Sequence, residues 1–150
     1  MSRQSASILI RRSPHEVFTY MDDASREHEW QPNLRSAEQD PPGPTQVGTR
    51  KKYVSRFMGR EVKNTYVVTE LDPGRRIVCR TERDSAIEAR SEVTWEPEGP
   101  GTRVTMTIQG KPKGFLKFVP KRALELAYRE ELEAALRRVK DRLEVARNGS

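Results

Sequence analysis

Two hydrophobic periods divide this chain. From about Pro120 to about Arg147, apolar residues recur in steps of three and four, at Leu124, Tyr128, Leu132, Ala135, Val139 and Leu143, with Ala123, Ala127 and Leu136 beside them. Those steps put one broad apolar stripe on a helix. The positions between are mostly Ala, Leu, Glu, Lys and Arg, which are strong helix formers, and Asn148-Gly149 supplies a stop. About 28 residues make a rod of roughly 40 Å. In isolation its stripe would face water, so it needs a wide, concave partner. Upstream the period is mostly two, which predicts strands and hence a curved sheet gripping the helix.

In chain order, residues 6–11 (ASILIR) read as a first strand. Ser13-Pro14-His15-Glu16 combines a cap, a proline suited to the first helical position and a capping-box glutamate. Val17, Phe18 and Met21 are the buried side of that short helix. Asp22-Asp23 breaks it, a second short helix runs from about Ala24 to Trp30, and Gln31-Pro32 ends it. Leu34 to Gln39 is a strand, and Asp40-Pro41-Pro42-Gly43-Pro44 a rigid loop.

Five strands joined by tight turns are predicted from Val47 to Gln109. Met58-Gly59-Arg60-Glu61 fits a two-residue hairpin with Gly first, pairing Phe57 with Val62, Ser55 with Asn64 and Tyr53 with Tyr66. Asp72-Pro73-Gly74-Arg75 fits a type II turn, setting Glu70 opposite Ile77, Val68 opposite Cys79, Tyr66 opposite Thr81 and Asn64 opposite Arg83. Directly paired residues share a sheet face. The inner face therefore carries Tyr53, Ser55, Phe57, Val62, Asn64, Tyr66, Val68, Ile77, Cys79, Thr81 and Arg83. Alternation in the last two strands adds Ala89, Ser91, Val93 and Trp95, then Val104, Met106 and Ile108. Gly110 to Gly114 reads as a hinge-like connection, and Phe115 to Val119 as an amphipathic turn before the long helix.

Composition narrows the class. The chain has 150 residues, enough for one domain with a real core. It is 33% charged with both signs interspersed, so disorder is expected only at Met1 to about Gln4 and at Asn148 to Ser150. No apolar run approaches a membrane span, no signal-peptide pattern is present, and Cys79 is the single cysteine. These features predict a cytoplasmic protein. The net charge of +6 owes much to Lys111, Lys113, Lys117, Lys121 and Arg122, a segment with no acid. No nucleic-acid recognition motif accompanies it, so no nucleic-acid partner is expected. A solvated basic patch is the plain reading. Phe115, Leu116, Phe118 and Val119 interleave with these lysines, which also suits a lid that touches an anionic membrane or a carrier protein.

The order of strand, two short helices, antiparallel strands and one long helix resembles the helix-grip fold of the START-like (SRPBCC, Bet v 1-like) superfamily, in particular its polyketide cyclase/dehydrase-like group. The resemblance rests on SPHEVFTYMDDASREHEW at 13–30, VGTR at 47–50, FMGR at 57–60, VTELDPGRRIVCRT at 68–81, GTRVTM at 101–106 and the ending at 139–144. It implies an α+β fold of about seven strands wrapped around the C-terminal helix, with a deep cavity between them. Members bind apolar or amphipathic molecules such as lipids, sterols, polyketides and quinones, and some cyclise or dehydrate them. The group has no shared catalytic motif to carry over.

Within such a cavity the polar inward residues are the candidates for chemistry. Ser55, Asn64 and Arg83 fall side by side in the predicted registers, with Tyr53, Tyr66 and Thr81 next along and Ser91 near them. Arg83 can pair with a ligand carboxylate or enolate, or it lies near a strand end and reaches water. Glu131 sits within the helical stripe, either as a general base or partner of Arg83 or as a solvated flank. The candidate catalytic residues are Arg83, Tyr66 and Glu131. The candidate ligand contacts are Trp30, Tyr53, Ser55, Asn64, Tyr66, Thr81, Arg83, Ser91, Trp95, Met106, Phe115, Leu124, Tyr128 and Glu131. His15 reads as exposed and His28 as near the cavity rim. Two histidines and one cysteine, far apart, make no metal cluster, and no cofactor fingerprint is present. Binding or transport of an apolar small molecule is the first reading. A polyketide cyclase, aromatase or dehydratase is the alternative, and a basic interaction module with salt-dependent binding a weaker one.

Overall fold

The computed structural model describes residues 3–148, with side chains through Val145. The expectations for Met1, Ser2 and the Gly149 stop lie outside the described residues. Strands β1 (Gln4–Ile10), β2 (Leu34–Asp40), β3 (Arg50–Phe57), β4 (Arg60–Asp72), β5 (Arg76–Thr81), β6 (Ile87–Glu98) and β7 (Gly101–Pro112) form one antiparallel sheet. Their order is β1-β7-β6-β5-β4-β3-β2. Helix α1 (Pro14–Asp22) and 3-10 helix η1 (Ala24–Glu29) lie between β1 and β2; η2 (Gly114–Phe118) precedes the long helix α2 (Lys121–Asn148). This is the predicted seven-stranded helix-grip architecture.

Local chemistry explains the boundaries. Ser13 caps α1, its hydroxyl accepting from the Glu16 amide at 3.2 Å, with Pro14 at the first helical position. Asp23 then ends α1 and caps η1 by accepting from the Ser25 amide. Gln4 is already in β1 and buried, so the expected N-terminal disorder does not extend to it. The segment 110–112 is not a hinge: it completes β7 against β6, pairing Gly110 with Ala89 and Pro112 with Ile87. A Cβ on Gly110 would lie 2.0 Å from the Glu88 carbonyl oxygen, so only glycine permits this approach of two backbones.

Two predicted registers change in detail. The β3–β4 hairpin turns on Met58-Gly59, both at positive φ (51° and 81°), as a two-residue type I′ turn requires. Phe57 therefore faces Arg60, Ser55 faces Val62 and Tyr53 faces Asn64. This shift of two residues leaves every side chain on its predicted face, because the strand period is two. Between β4 and β5, Tyr66–Thr81 and Val68–Cys79 pair as predicted. A bulge after Val68 then sets Leu71, not Glu70, opposite Ile77.

The core lies between the sheet and α2. Ile10, Val17, Met21, Val68, Val104, Leu136 and Val139 belong to one buried cluster. The C-terminal half of α2 is fastened to β1 and the segment after it: Lys140 Nζ donates to the Leu9 carbonyl at 2.8 Å and the Arg12 guanidinium to the Leu143 carbonyl at 2.7 Å. Its N-terminal half crosses the far side of the sheet, where Tyr128 stacks on Phe57 with centroids 4.7 Å apart. Helix and sheet diverge between these two anchorages.

Candidate functional site

A cavity of about 230 Å³ occupies that divergence. Met21, Trp30, Phe57, Val62, Ile77, Val93, Trp95, Met106, Ile108 and Leu132 supply most of its apolar wall. The β3–β4 register sets Tyr53 diagonally from Tyr66 on the same face, with a centroid separation of 6.0 Å. Both tryptophans of the chain line it. Trp95 donates its indole N–H to Met21 Sδ at 3.4 Å and meets Phe18 edge-on, which fixes its ring. The buried Trp30 indole N–H has no hydrogen-bond partner among the described residues.

Of the residues expected at the site, Trp30, Tyr53, Ser55, Asn64, Tyr66, Ser91, Trp95, Met106, Tyr128 and Glu131 line this cavity. Four do not. Arg83 falls in the exposed β5–β6 turn, because β5 ends at Thr81; the predicted pairing with Asn64 is not made. Asn64 Oδ1 instead accepts from the Ala86 amide at 2.9 Å and fastens that turn. The Thr81 hydroxyl accepts from the Ala89 amide at 2.8 Å across the β5–β6 junction. Phe115 and Leu124 pack in a second apolar cluster beneath η2, where the Arg60 guanidinium covers the Phe115 ring at 4.7 Å. Both histidines are exposed.

Glu131 is not a solvated flank. It projects from α2 into the cavity with no hydrogen bond or ion pair among the described residues. Burial alone pushes its carboxyl up to about 7. Near it, burial also raises the Tyr66 and Tyr128 phenols far above their ordinary value, with the Glu131 charge adding to both.

A polar cluster that the sequence pattern did not reveal occupies another part of the wall. Glu27, only 2% exposed, is carried inward by η1. Its carboxylate accepts from the Tyr53 hydroxyl at 3.1 Å and from the Gln31 side-chain amide. Burial outweighs these donors and the nearby Lys51 charge, and lifts its carboxyl to about 7. Lys51 is itself buried and pairs with Asp22 at 3.0 Å, and the Thr45 hydroxyl donates to the same Asp22 oxygen at 2.8 Å. Signal for Lys51 was present, since the alternation that turns Tyr53 and Ser55 inward turns Lys51 inward too. Nothing in the local pattern of Ala24 to Glu29 marks Glu27, because a six-residue segment has no dominant face.

The described residues contain no group of three histidine, cysteine or acidic side chains arranged to hold a metal ion. Cys79 is buried beside Ser91, and burial raises its thiol to about 11, which keeps it protonated and poorly nucleophilic.

A family model described as polyketide cyclase / dehydrase and lipid transport matches residues 1–144. The chain belongs to this family. Solved structures share its fold: a protein of Thermus thermophilus aligns with a TM-score of 0.81 at 20% identity, over 96% of this chain and 98% of that one. A START superfamily protein of Mycobacterium smegmatis aligns with a TM-score of 0.80 at 14% identity, over 97% and 99%. The di-domain ARO/CYC protein BexL, from the BE-7585A biosynthetic pathway, aligns with a TM-score of 0.72 at 17% identity, over 93% of this chain and 48% of that one. Comparison with curated proteins finds no match.

Proposed function

We propose that residues 1–150 act as one ligand-binding domain that takes up a compact, ring-bearing amphipathic molecule between the sheet and α2. The observation that carries this reading is the cavity itself, an apolar chamber of about 230 Å³ with a few convergent polar groups. Its volume lies below the common range of roughly 300–1,000 Å³ for small-molecule sites, which favours a compact ligand over a long acyl chain. Native mass spectrometry of the purified protein, followed by solvent extraction, tests the reading. An organic-extractable adduct of a few hundred daltons supports it. A bare protein whose tryptophan fluorescence is unmoved by a panel of ring-bearing amphiphiles refutes it, because both tryptophans line the cavity.

Glu131 favours a second reading, catalysis within the same chamber. A half-buried carboxyl raised to about 7 is matched to proton transfer near neutral pH, and Tyr66 beside it can donate to a ligand carbonyl. A cyclase or dehydratase acting on a poly-β-keto chain would use this pair. Turnover that survives Glu131→Gln with only KM altered would restrict Glu131 to binding.

We further propose that ligand exchange takes place at an anionic lipid surface. Phe118 is 87% exposed on η2, flanked by Lys117, Lys121 and Arg122, none of which has an ion-pair partner among the described residues. The buried cluster under η2 includes Phe57, Val62 and Tyr128, which also line the cavity. Among the described residues no helix is long and apolar enough to cross a membrane, so this contact would be peripheral.

A further inference from the structure

The protein is basic but its cavity is acidic. Asp22, Glu27 and Glu131 bring carboxylates to the chamber, and Lys51 is its one lining cation among the described residues. Lys51 is committed to Asp22 at 3.0 Å. Glu27 is occupied by Tyr53 and Gln31. Among these three acids, Glu131 alone has no partner among the described residues. It lies three residues beyond Tyr128 on one helix and close enough to Tyr66 for its charge to act on both phenols. Arg83, the cation that could have received an anionic ligand, is outside on a turn.

We propose that the cavity selects a ligand bearing a protonated amine, seated with its ammonium on the Glu131 carboxylate and against the rings of Tyr66 and Tyr128. This rests on the reading of the cavity as a ligand site and adds the class of headgroup. A carboxylate with aromatic faces beside it is the chemistry that holds ammonium ions, the acceptor supplying the charge and the rings their negative faces. A carboxylate ligand would instead place a second negative charge beside Glu131, with no free cation among the described lining residues to receive it. A neutral ketone would leave the carboxyl without a charged partner. At about pH 8, Tyr66, Tyr128 and Cys79 retain their protons, Asp22 is paired with Lys51, and Glu27 is held by Tyr53 and Gln31, so Glu131 is the unpaired charge that the ammonium meets.

Three probes with the same ring separate headgroup from hydrophobic fit: 1-naphthylmethylamine, 1-naphthylmethanol and 1-naphthoic acid. Calorimetric titration of the intact protein at about pH 8 is expected to rank the amine roughly tenfold or more above the alcohol, with the acid weakest. Glu131→Gln, checked for folding by its thermal melt, should abolish the amine's advantage and leave alcohol affinity within about threefold. Tyr128→Leu keeps the carboxyl and removes one ring, and should weaken the amine more than the alcohol; it decides the matter if Glu131→Gln fails to fold. Equal or better binding of the alcohol or the acid, or an amine preference that survives both variants, overturns the ammonium assignment while the cavity reading stands. Binding of none of the three removes the cavity reading and this inference with it.

Discussion

Glu131 and Glu27 are two acids raised to about 7 by the same cause in different settings. A carboxyl whose folded value exceeds its unfolded one favours the protonated folded state. The benefit is fully present below the ordinary value of 4.5 and is lost as the pH rises through about 7. A tenfold change in acidity between the unfolded and folded chain corresponds to about 1.4 kcal/mol, so stability should fall across that window and level off above it. Glu131→Gln removes the charge but not the shape. At about pH 8 it should be more stable than the natural chain by about 1–3 kcal/mol, and the gain should vanish near the ordinary carboxylate range. Denaturant melts at both pH values check this; a constant difference would mean that burial does not raise Glu131. Glu27 differs because Tyr53 and Gln31 donate to it. Glu27→Ala strands these donors and leaves a buried gap, so it should cost about 2–4 kcal/mol, with Glu27→Gln milder. A loss below about 0.5 kcal/mol would place Glu27 outside the polar cluster.

Among the elements, α2 carries a conflict at its start. Its first turn has no acid, and Lys121 and Arg122 stand where the helix dipole favours negative charge. Lys121→Glu should therefore stabilise the fold by about 0.3–1 kcal/mol. If η2 and the start of α2 meet an anionic bilayer, the same change should weaken vesicle binding, so stability and binding move in opposite directions. Strand β7 makes a different demand at Gly110. The obstacle to a side chain there is the Glu88 backbone, which cannot move aside as a flexible side chain can. Gly110→Ala should cost about 2 kcal/mol or more in chemical denaturation, and Gly43→Ser about 1 kcal/mol, since there the loop is open and only the positive φ strains a side chain. A neutral Gly110→Ala would show that β6 and β7 part more easily there than their pairing suggests.

For the molecule as a whole, the distribution of charge sets the expected behaviour. Sedimentation with phosphatidylcholine vesicles should recover little protein, and inclusion of phosphatidylglycerol should recover much more. Lys117→Glu with Lys121→Glu should abolish the gain, and Phe118→Ser should reduce it by roughly tenfold, a hydrophobic anchor being worth about 1.5–3 kcal/mol. Loss through the lysines with no effect of Phe118→Ser would point to a polyanion or an acidic carrier protein and remove the bilayer reading.

What local chemistry and periodicity control was legible in the order of residues. Ser13-Pro14-His15-Glu16 fixes a helix start because the donor, acceptor and proline lie within four residues. The stripe on α2 and the alternation of β3 to β7 fix which faces are buried. A register error of two residues at Met58-Gly59 left Tyr53, Ser55 and Asn64 lining the cavity, since two is the strand period. Arg83 takes the strand-end, water-facing alternative, which alternation cannot choose because it does not say where a strand ends; β5 stops at Thr81, and Asn64 and Ser85 fasten the turn beyond. Glu131 was ambiguous because a stripe's edge and its centre differ only by a rotation of the helix, which packing against β1 and Phe57 fixes. The Asp22–Lys51 pair and the Glu27–Tyr53 bond join residues 29 and 26 positions apart. Only the folding of α1 and η1 onto the sheet brings them together, and burial then sets their chemistry. Element type follows from short-range preference and pattern, whereas the charge state of a cavity follows from which distant groups are removed from water together.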